Sequence, residues 1–310
     1  MQSSLEPDSE RFGEGETVSE EMSFDLRPSS LARVEKTVSV RTDKGRRQGE
    51  LQTILSYRDH LPEDQWLEDA LRHELAGLPV DVAVVPAGNR RKRLLLADMD
   101  STIIEQEVVD ELAAVAGVGP AVSAVTERTM RGELAFEPAL RERMALLEGL
   151  PATAIETIIR DRISFAPGAR TLVATMKAHG AFTAIVSGGF TAFTGHVAEA
   201  LGFESHEANR LVIEYGRLTG RVAEPVLGQT AKVEALRRLT KKLGIAMDEV
   251  IAVGDGANDI AMLRLAGLGV AFHGKPAVRA AADVRIDHAD LTALLYLQGY
   301  RKAQFAKIQP

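Results

Sequence analysis

Two carboxylates, Asp98 and Asp100, directly follow a short apolar run in this sequence. The run, Leu94–Ala97, is uninterrupted, which is typical of a strand buried on both faces of a parallel sheet. In open α/β sheets, ligands bind at the carboxyl ends of the strands, and side chains two apart on a strand point the same way. We therefore expect both carboxylates to face one crevice, where a divalent cation neutralises them or one is protonated and acts as an acid.

Two later apolar segments also end in polar residues. Segment 180–186 leads into Ser187 and Gly188, whose hydroxyl and backbone N–H groups are typical of a phosphate-binding turn. Segment 250–253 leads into a turn flanked by glycines that carries hard oxygen ligands of the kind that Mg²⁺ prefers. The ligands in this turn are Asp255, Asn258 and Asp259.

A positive charge is expected at the same edge, because Lys232 opens a segment, 232–243, with a helical pattern. An ammonium group there holds a phosphate oxygen and offsets carboxylate charge. Taken alone, Lys232 is equally well a surface lysine, and Ser187 is equally well the first residue of a helix. Carboxylates at the ends of buried strands are a costly structural choice, so capping of the following helices explains Asp98, Asp100 and Asp255 poorly.

Taken in order, these segments resemble the motifs of the haloacid dehalogenase-like phosphotransferases. The family pattern runs Asp-x-Asp-x-Thr, then Ser or Thr after a strand, then Lys, then Gly-Asp-x-x-x-Asp, and all four parts are present here. The sequence between the first two motifs resembles the branch of this family that hydrolyses O-phospho-L-serine. The resemblance covers about residues 90–305 and extends poorly into the residues before them. The residues that carry the second resemblance are Glu107, Met130, Phe136 and Arg143.

The resemblance implies a catalytic role for two of the carboxylates. Asp98 would be the nucleophile that forms an aspartyl-phosphate, and Asp100 would first protonate the leaving serine oxygen and then deprotonate the attacking water. The resemblance also implies Mg²⁺ as the cofactor, with Asp98, the backbone carbonyl of Asp100 and Asp255 as ligands and with Asp259 on a coordinated water. This arrangement suits phosphoryl transfer, which depends mostly on positioning and on neutralising charge.

The resemblance further implies which residues hold the substrate. Glu107 would pair with the amine of phosphoserine and Arg143, a planar fork, with its carboxylate. Phe136 and Met130 would exclude water from the closed site. On a structural interpretation, the two charged residues are solvated helix charges and the two apolar residues belong to an ordinary core. The phosphoryl group would be contacted by Ser187, Gly188, Lys232 and Asn258.

The function that the resemblance implies is Mg²⁺-dependent hydrolysis of O-phospho-L-serine to serine and phosphate, the last step of serine biosynthesis. Two alternatives remain open. A phosphotransferase or a broader phosphomonoesterase on the same scaffold would pass the phosphoryl group to another alcohol or accept other small phosphate esters. A regulatory binding protein would keep the fold without turnover, although the complete set of motif residues argues against it.

The composition agrees with a soluble enzyme, and the partner that the resemblance implies is a small phosphorylated amino acid. The chain has 310 residues, 45% of them hydrophobic, which is enough for one large core and a smaller one. A net charge of -7 and a pI near 5.6 argue against general binding to nucleic acid or membrane surfaces. The absence of cysteine excludes disulfides and a thiol nucleophile. No basic leader precedes an apolar segment, so we expect a cytoplasmic location.

The order of the predicted elements indicates an α/β fold over residues 91–305, a Rossmann-like parallel sheet with helices on both faces. The helical pattern through about 105–164 predicts a cap inserted after the first core strand, which would close over the catalytic edge. Segment 211–222 contains turn glycines and predicts a small β-hairpin flap.

The sequence before this core falls into two parts. Residues 1–30 are polar and acidic, so we expect them to be disordered. Residues 31–90 are expected to form a small region, which would correspond to a divergent or truncated form of the amino-acid-binding domain that relatives often carry. Within it, the pattern predicts strands over 34–40 and 80–85 and a helix over 62–76.

Overall fold

The structure is a computed structural model in which the chain forms two compact units, residues 1–60 and 61–310. The residues that it describes are 19–23, 37–41, 68, 71–73, 75–85, 88–228 and 230–308. In the first unit, strand β1 (Ser19–Ser23) pairs antiparallel with strand β2 (Thr37–Arg41). Strand β2 overlaps the strand predicted over 34–40.

Strand β1 lies within the segment for which disorder is predicted. The prediction is wrong for these five residues, because pairing with β2 gives their backbone groups hydrogen-bond partners. Composition alone does not reveal such a partner. The rest of the predicted tail lies outside the described residues.

Within the described part of the second unit, a parallel sheet of six strands lies at the centre. Its strands, from one edge to the other, are β10 (Val284–Ile286), β9 (Leu268–Phe272), β8 (Val250–Gly254), β3 (Leu94–Ala97), β4 (Phe182–Phe190) and β5 (Ser205–Asn209). In the central strand β3, Leu94 is in register with Val250 on one side and with Phe182 on the other. The predicted parallel sheet is confirmed, and the carboxyl ends of β3, β4 and β8 meet at one edge.

A helical insertion follows β3, as predicted. Its helices, all within the described stretch 88–228, are α1 (Val108–Ala116), α2 (Gly119–Met130), α3 (Phe136–Ala145) and α4 (Thr153–Asp161). The two segments that join this cap to the sheet are tied together. Ile104 and Phe165 form an antiparallel bridge, and the amide of Gln106 exchanges two hydrogen bonds with Ser164. The cap is therefore attached through one reinforced pair of segments.

The sheet is buried on both faces by helices, as the apolar strands predict. The helices after the cap are α5 (Ala169–Ala178), α6 (Thr191–Leu201), α7 (Ala231–Leu243), α8 (Ile260–Leu265), α9 (Pro276–Arg279) and α10 (Ala293–Leu297). Leu95 packs in one core cluster with Leu172 of α5, whereas Leu94 packs in a second cluster with Leu236 of α7. Neighbouring residues of β3 thus face opposite sides, as an extended backbone requires.

The predicted β-hairpin is present as β6 (Leu211–Glu214) and β7 (Arg217–Val222). It contacts the cap through the backbone of Leu218. The Gly149 N–H donates to the Leu218 carbonyl at 2.8 Å, and the Leu218 N–H donates to the Leu150 carbonyl at 2.9 Å. The hairpin therefore joins the cap to the sheet at a second place.

The prediction of a strand over 80–85 is wrong, because this described segment does not pair with any strand. Hydrogen bonds that involve side chains connect this segment to its surroundings instead. The Val84 N–H donates to the Glu68 carboxylate at 3.1 Å. The Asp81 carboxylate accepts hydrogen bonds from the three successive N–H groups of 287–289. An apolar run predicts extended backbone, but it does not show whether a neighbouring strand exists to pair with.

The helix predicted over 62–76 is described only in part. Residues 68 and 71–73 are helical and residues 75–76 form a turn, whereas the others lie outside the described residues. Across the described residues, no helix combines the length and the apolar character needed to cross a membrane.

Candidate active site

Three buried carboxylates come together where β3 and β8 end. Asp98 follows β3, and Asp255 and Asp259 follow β8. One oxygen from each lies within 4.8 Å of the other two, which is close enough for all three to bind one metal ion. The structure therefore brings these three predicted metal ligands together, and hard oxygen donors in this number suit a divalent cation.

Lys232 lies inside this carboxylate cluster. It belongs to the first turn of α7 and is 4% exposed. Its Nζ is 2.7 Å from Asp98 Oδ2 and 2.5 Å from Asp259 Oδ1. When all three carboxylates are ionised, one ammonium group leaves a net negative charge, and an uncompensated buried charge is costly. The cluster therefore favours the binding of a further cation.

The pKa values in the cluster reflect this crowding. Burial, reinforced by the charge of Asp259, raises the pKa of Asp98 from 3.8 to about 8, although Lys232 opposes the rise. Burial also raises the pKa of Asp255 to about 6, against the charge of Lys275, whose Nζ is 3.8 Å away. Burial alone would lower the pKa of Lys232, but the carboxylates of Asp98 and Asp259 outweigh burial and raise it. The lysine therefore stays charged.

Asp100 is half-buried and has different surroundings from the cluster. Its Oδ1 accepts a hydrogen bond from the Val108 N–H at 3.4 Å. Burial, together with the nearby charges of Glu107 and Asp98, raises the pKa of Asp100 well above its ordinary value. A carboxyl group whose pKa is raised holds its proton more readily and is therefore suited to act as an acid. Gly189 packs closely against it, because an added Cβ would lie 2.9 Å from Asp100 Oδ2.

Ser187 and Gly188 lie near the carboxyl end of β4, where its register with β5 shifts, and the Ser187 side chain is buried. The Ser187 Oγ accepts a hydrogen bond from the Gly189 N–H at 2.9 Å, so its own proton can serve another acceptor. We call residues 187–189 the phosphate turn, and two of them, Ser187 and Gly188, line a cavity of about 10 Å³, which is space for about one water molecule. The same cavity is lined by Phe136, Lys232 and Asn258.

The cap is closed over the phosphate turn. A Cβ added to Gly188 would lie 3.4 Å from Phe136 Cζ, so the ring is in close contact with the turn. The small cavity beneath it is consistent with a site that must open to admit a substrate. Met130, which is predicted to act beside Phe136, ends α2. Its side chain lies outside the described part of the structure, and its role stays a prediction.

Glu107 and Arg143 bring opposite charges to the neighbourhood of Asp100. Glu107 precedes α1, and its Oε1 accepts a hydrogen bond from the Ser101 Oγ at 2.8 Å. Arg143 is half-buried in α3. Burial lowers its pKa, whereas the charges of Asp110, Glu107 and Asp100 oppose this. Its guanidinium donates to a backbone carbonyl. The carboxylate of a substrate that enters the site could pair with this planar guanidinium group.

The sequence argument missed several residues that line or support the site. Ser101, which holds Glu107, has a φ of +52°, a conformation that non-glycine residues rarely adopt. Leu227 lines the cavity, Asn209 hydrogen-bonds to two of its walls, and Lys275 lies near Asp255. For Ser101, its place directly after the paired carboxylates was a usable signal. For the others there is no local pattern, since they lie between or beyond the motifs.

Paired carboxylates at the end of a Rossmann-like sheet, beside a lysine and a phosphate turn and beneath a helical cap, define a class of protein. The family model of the haloacid dehalogenase-like hydrolases matches residues 95–264, more than half of the chain. The chain belongs to this family. All the predicted site residues lie within the matched range.

Within the family, the chain is similar to phosphoserine phosphatases. It is 42% identical over 206 residues to the one from Methanocaldococcus jannaschii, which covers 66% of this chain and 97% of that protein. It is 45% identical over 244 residues to the one from Streptomyces coelicolor, with 78% of this chain and 59% of that protein covered. For the one from Archaeoglobus fulgidus, the identity is 45% over 226 residues, 72% of this chain and 65% of that protein. The chain thus spans less than two thirds of the last two relatives.

Solved structures share the fold. A phospho-aspartyl intermediate analogue of phosphoserine phosphatase gives a TM-score of 0.62 at 42% identity, covering 66% of this chain and 98% of that chain. A substrate-bound phosphoserine phosphatase complex gives a TM-score of 0.63 at 41% identity, with the same coverage. The core and cap of this chain therefore have the fold of the phosphoserine phosphatases.

Proposed function

We propose that this chain is a Mg²⁺-dependent phosphoserine phosphatase that hydrolyses O-phospho-L-serine through an aspartyl-phosphate on Asp98. The observation that carries the proposal is the position of Asp98, 2.7 Å from the Lys232 ammonium and two residues from a carboxyl with a raised pKa, Asp100. The similarity to phosphoserine phosphatases supports the choice of substrate. A cytoplasmic location and a place at the last step of serine biosynthesis belong to this proposal.

In the first step, an oxygen of Asp98 attacks the phosphorus, and the bond between phosphorus and the serine oxygen breaks. The proton of Asp100 moves to that serine oxygen, so serine leaves as a neutral alcohol. The raised pKa of Asp100 supports this role, because the group must hold a proton before the reaction. The product on the protein is an aspartyl-phosphate.

In the second step, a water molecule attacks the phosphorus of the aspartyl-phosphate, and its proton moves to Asp100, now a carboxylate. The bond between phosphorus and the Asp98 oxygen breaks, which releases phosphate and restores both residues. One carboxyl group thus serves as acid and then as base. The closed cap supports this order of steps, since a closed cap would limit the entry of water until serine has left.

Charge in these steps would be balanced by a cation and by the phosphate turn. Asp98, Asp255 and the backbone carbonyl of Asp100 would hold Mg²⁺, with Asp259 on a coordinated water, and the ion supplies positive charge that keeps the carboxylates ionised. The closeness of the three carboxylates supports this ligand set. The phosphoryl oxygens would be held by the Ser187 hydroxyl, the Gly188 N–H, Lys232 and Asn258.

Selection of phosphoserine would depend on the two ends of its amino-acid part. Glu107 would bind the amine, and Arg143 would bind the carboxylate through its fork. Their opposite charges beside Asp100 support these roles. Phe136, and Met130 as predicted, would exclude water around the serine carbon.

The test is phosphate release in the presence of Mg²⁺ from L-phosphoserine, phosphothreonine, phosphoethanolamine and phosphoglycolate, with the Asp98→Asn variant as control. We expect a strong preference for L-phosphoserine, equal release of serine and phosphate, and no activity in the variant. Equal rates across the four compounds would refute the assignment of L-phosphoserine as the preferred substrate. Serine release that exceeds phosphate release when homoserine is added would indicate transfer to an alcohol. No activity at all would favour a regulatory protein.

A further inference from the structure

Asn209 connects two walls of the active-site cavity. It ends β5 and is 2% exposed. Its Nδ2 donates to the Gly188 carbonyl at 3.0 Å, and its Oδ1 accepts from the Leu227 N–H at 2.8 Å. Gly188 and Leu227 both line the cavity, whereas Asn209 stands behind them. One buried amide therefore fixes the distance between two segments that belong to different parts of the chain.

The peptide group between Gly188 and Gly189 is held at both ends. Its carbonyl accepts from Asn209, and its N–H donates to the Ser187 Oγ at 2.9 Å. A peptide plane bound on both sides cannot rotate without breaking a buried hydrogen bond, which is unfavourable. Because the Ser187 Oγ is thereby kept as an acceptor for this N–H, its own proton is directed to another partner. Asn209 thus acts on Ser187 through one peptide.

The same amide closes the base of the hairpin. Asn209 precedes β6 and Leu227 follows β7, and between them the Ala223 N–H donates to the Arg210 carbonyl at 2.8 Å. The hairpin itself contacts the cap through Leu218. The hydrogen bonds of Asn209 therefore link the phosphate turn to the element on which the cap rests.

Building on the phosphatase function proposed above, we propose that Asn209 is a positioning residue that sets the phosphate turn for phosphoryl binding. The hydrogen-bond partners of Asn209 tie it to the active-site cavity. Both strong partners of Asn209 line it, and one of them is Gly188, whose N–H is proposed to bind phosphate. Loss of the bridge should therefore weaken phosphate binding as well as stability.

The test is the Asn209→Asp variant. Aspartate keeps an acceptor for the Leu227 N–H but places a second acceptor oxygen against the Gly188 carbonyl. We expect the Kd of inorganic phosphate, measured by calorimetry with Mg²⁺ present, to rise about tenfold, the size expected for losing one well-oriented hydrogen bond. The KM for L-phosphoserine should rise by a similar factor, with a smaller change in kcat.

Gln298 offers a matched control near the amino end of the central strand β3. It is 1% exposed, donates to the Leu294 carbonyl at 2.9 Å and accepts from the Lys92 N–H at 3.0 Å, so it too bridges two backbone groups. Gln298→Glu should lower the Tm and leave the phosphate Kd and the KM at wild-type values. If Asn209→Asp lowers the Tm in the same way but changes neither constant, the proposal is wrong.

Two further measurements keep the result decisive. The uncharged and smaller Asn209→Ser is measured in the same way whether or not Asn209→Asp folds, because a new aspartate charge would itself repel phosphate. The same changes are expected for it. Wild-type protein that binds phosphate but does not hydrolyse phosphoserine would overturn the proposed function, while the comparison of phosphate Kd values would still decide the role of Asn209. Wild-type protein that binds no phosphate would overturn both.

Discussion

The Ser101 hydroxyl donates a hydrogen bond to the Oε1 of Glu107 at 2.8 Å. Ser101 has a φ of +52°, and its N–H donates to the Gln106 carbonyl at 3.2 Å, so the chain turns tightly between the paired carboxylates and the cap. A non-glycine residue stays in this strained region only when its surroundings hold it there. The turn thereby fixes the carboxylate that we propose to bind the substrate amine.

Replacing Glu107 by Gln should reduce the selection of the amine. An ion pair with the substrate ammonium would become a neutral hydrogen bond, so kcat/KM for L-phosphoserine should fall about ten- to a hundredfold. The value for phosphoglycolate, which has no amine, should change little. Steady-state kinetics with both substrates tests this, and Ser101→Ala should show a smaller loss of the same kind.

Glu111 provides the control for this variant. It lies on α1 and pairs with Arg162 at 2.9 Å, on a surface that we do not assign to the site. Glu111→Gln should leave both kcat/KM values unchanged. An equal loss for phosphoserine and phosphoglycolate in Glu107→Gln would contradict the amine role.

Arg143→Met should reduce recognition of the substrate carboxylate. Methionine keeps much of the length of the side chain but removes the charged fork, so kcat/KM for L-phosphoserine should fall about ten- to a hundredfold. Phosphoethanolamine, which has no carboxylate, should be nearly unaffected. Arg141 lies two residues away on the exposed side of α3 and pairs with Glu137 and Glu224. Arg141→Met should not change either value, and a loss there would argue against a specific role for Arg143.

Lys232→Met should strongly destabilise the metal-free protein. Without the ammonium group, the carboxylate of Asp259, and that of Asp98 where it is ionised, would be left buried without a positive partner, which costs about 3–5 kcal/mol of unfolding free energy. Mg²⁺ should restore part of this loss, so its stabilising effect should be larger in the variant than in the wild type. Chemical denaturation with EDTA and with Mg²⁺ measures both quantities. Lys241→Met, an exposed lysine on the same helix, should change stability little, and an equal loss in the two variants would refute the prediction.

The site could be predicted from the sequence to the extent that its residues follow strands. Asp98, Ser187 and Asp255 each come after an apolar run, and the carboxyl ends of parallel strands meet at one edge. Asn209 could not be predicted in this way, because its hydrogen bonds join segments that are distant in the sequence. The strand expected over 80–85 failed for a related reason, since local pattern gives extended backbone without giving its partner.

The stability of the metal-free protein should fall as the pH rises from about 4 to about 8. Burial raises the pKa of Asp98 from 3.8 to about 8 and that of Asp255 to about 6, so the folded protein retains protons that the unfolded chain has already lost. Stability is therefore highest below the unfolded pKa and decreases until the folded pKa is passed. Because Mg²⁺ favours the ionised carboxylates, it should reduce or reverse this trend.

Denaturation in EDTA and in Mg²⁺ at pH 5, 6, 7 and 8 tests the sign of this dependence. Of the two pKa shifts, that of Asp98 is larger than that of Asp255. The unfolding free energy of the Asp98→Asn variant should therefore vary less with pH in EDTA than that of the wild type. Lys232 should not contribute in this range, because its carboxylate neighbours raise its pKa and it stays protonated throughout. Wild-type stability that rises with pH in EDTA would mean that the carboxylates are already ionised in the folded protein, with Lys232 alone sufficient to compensate them.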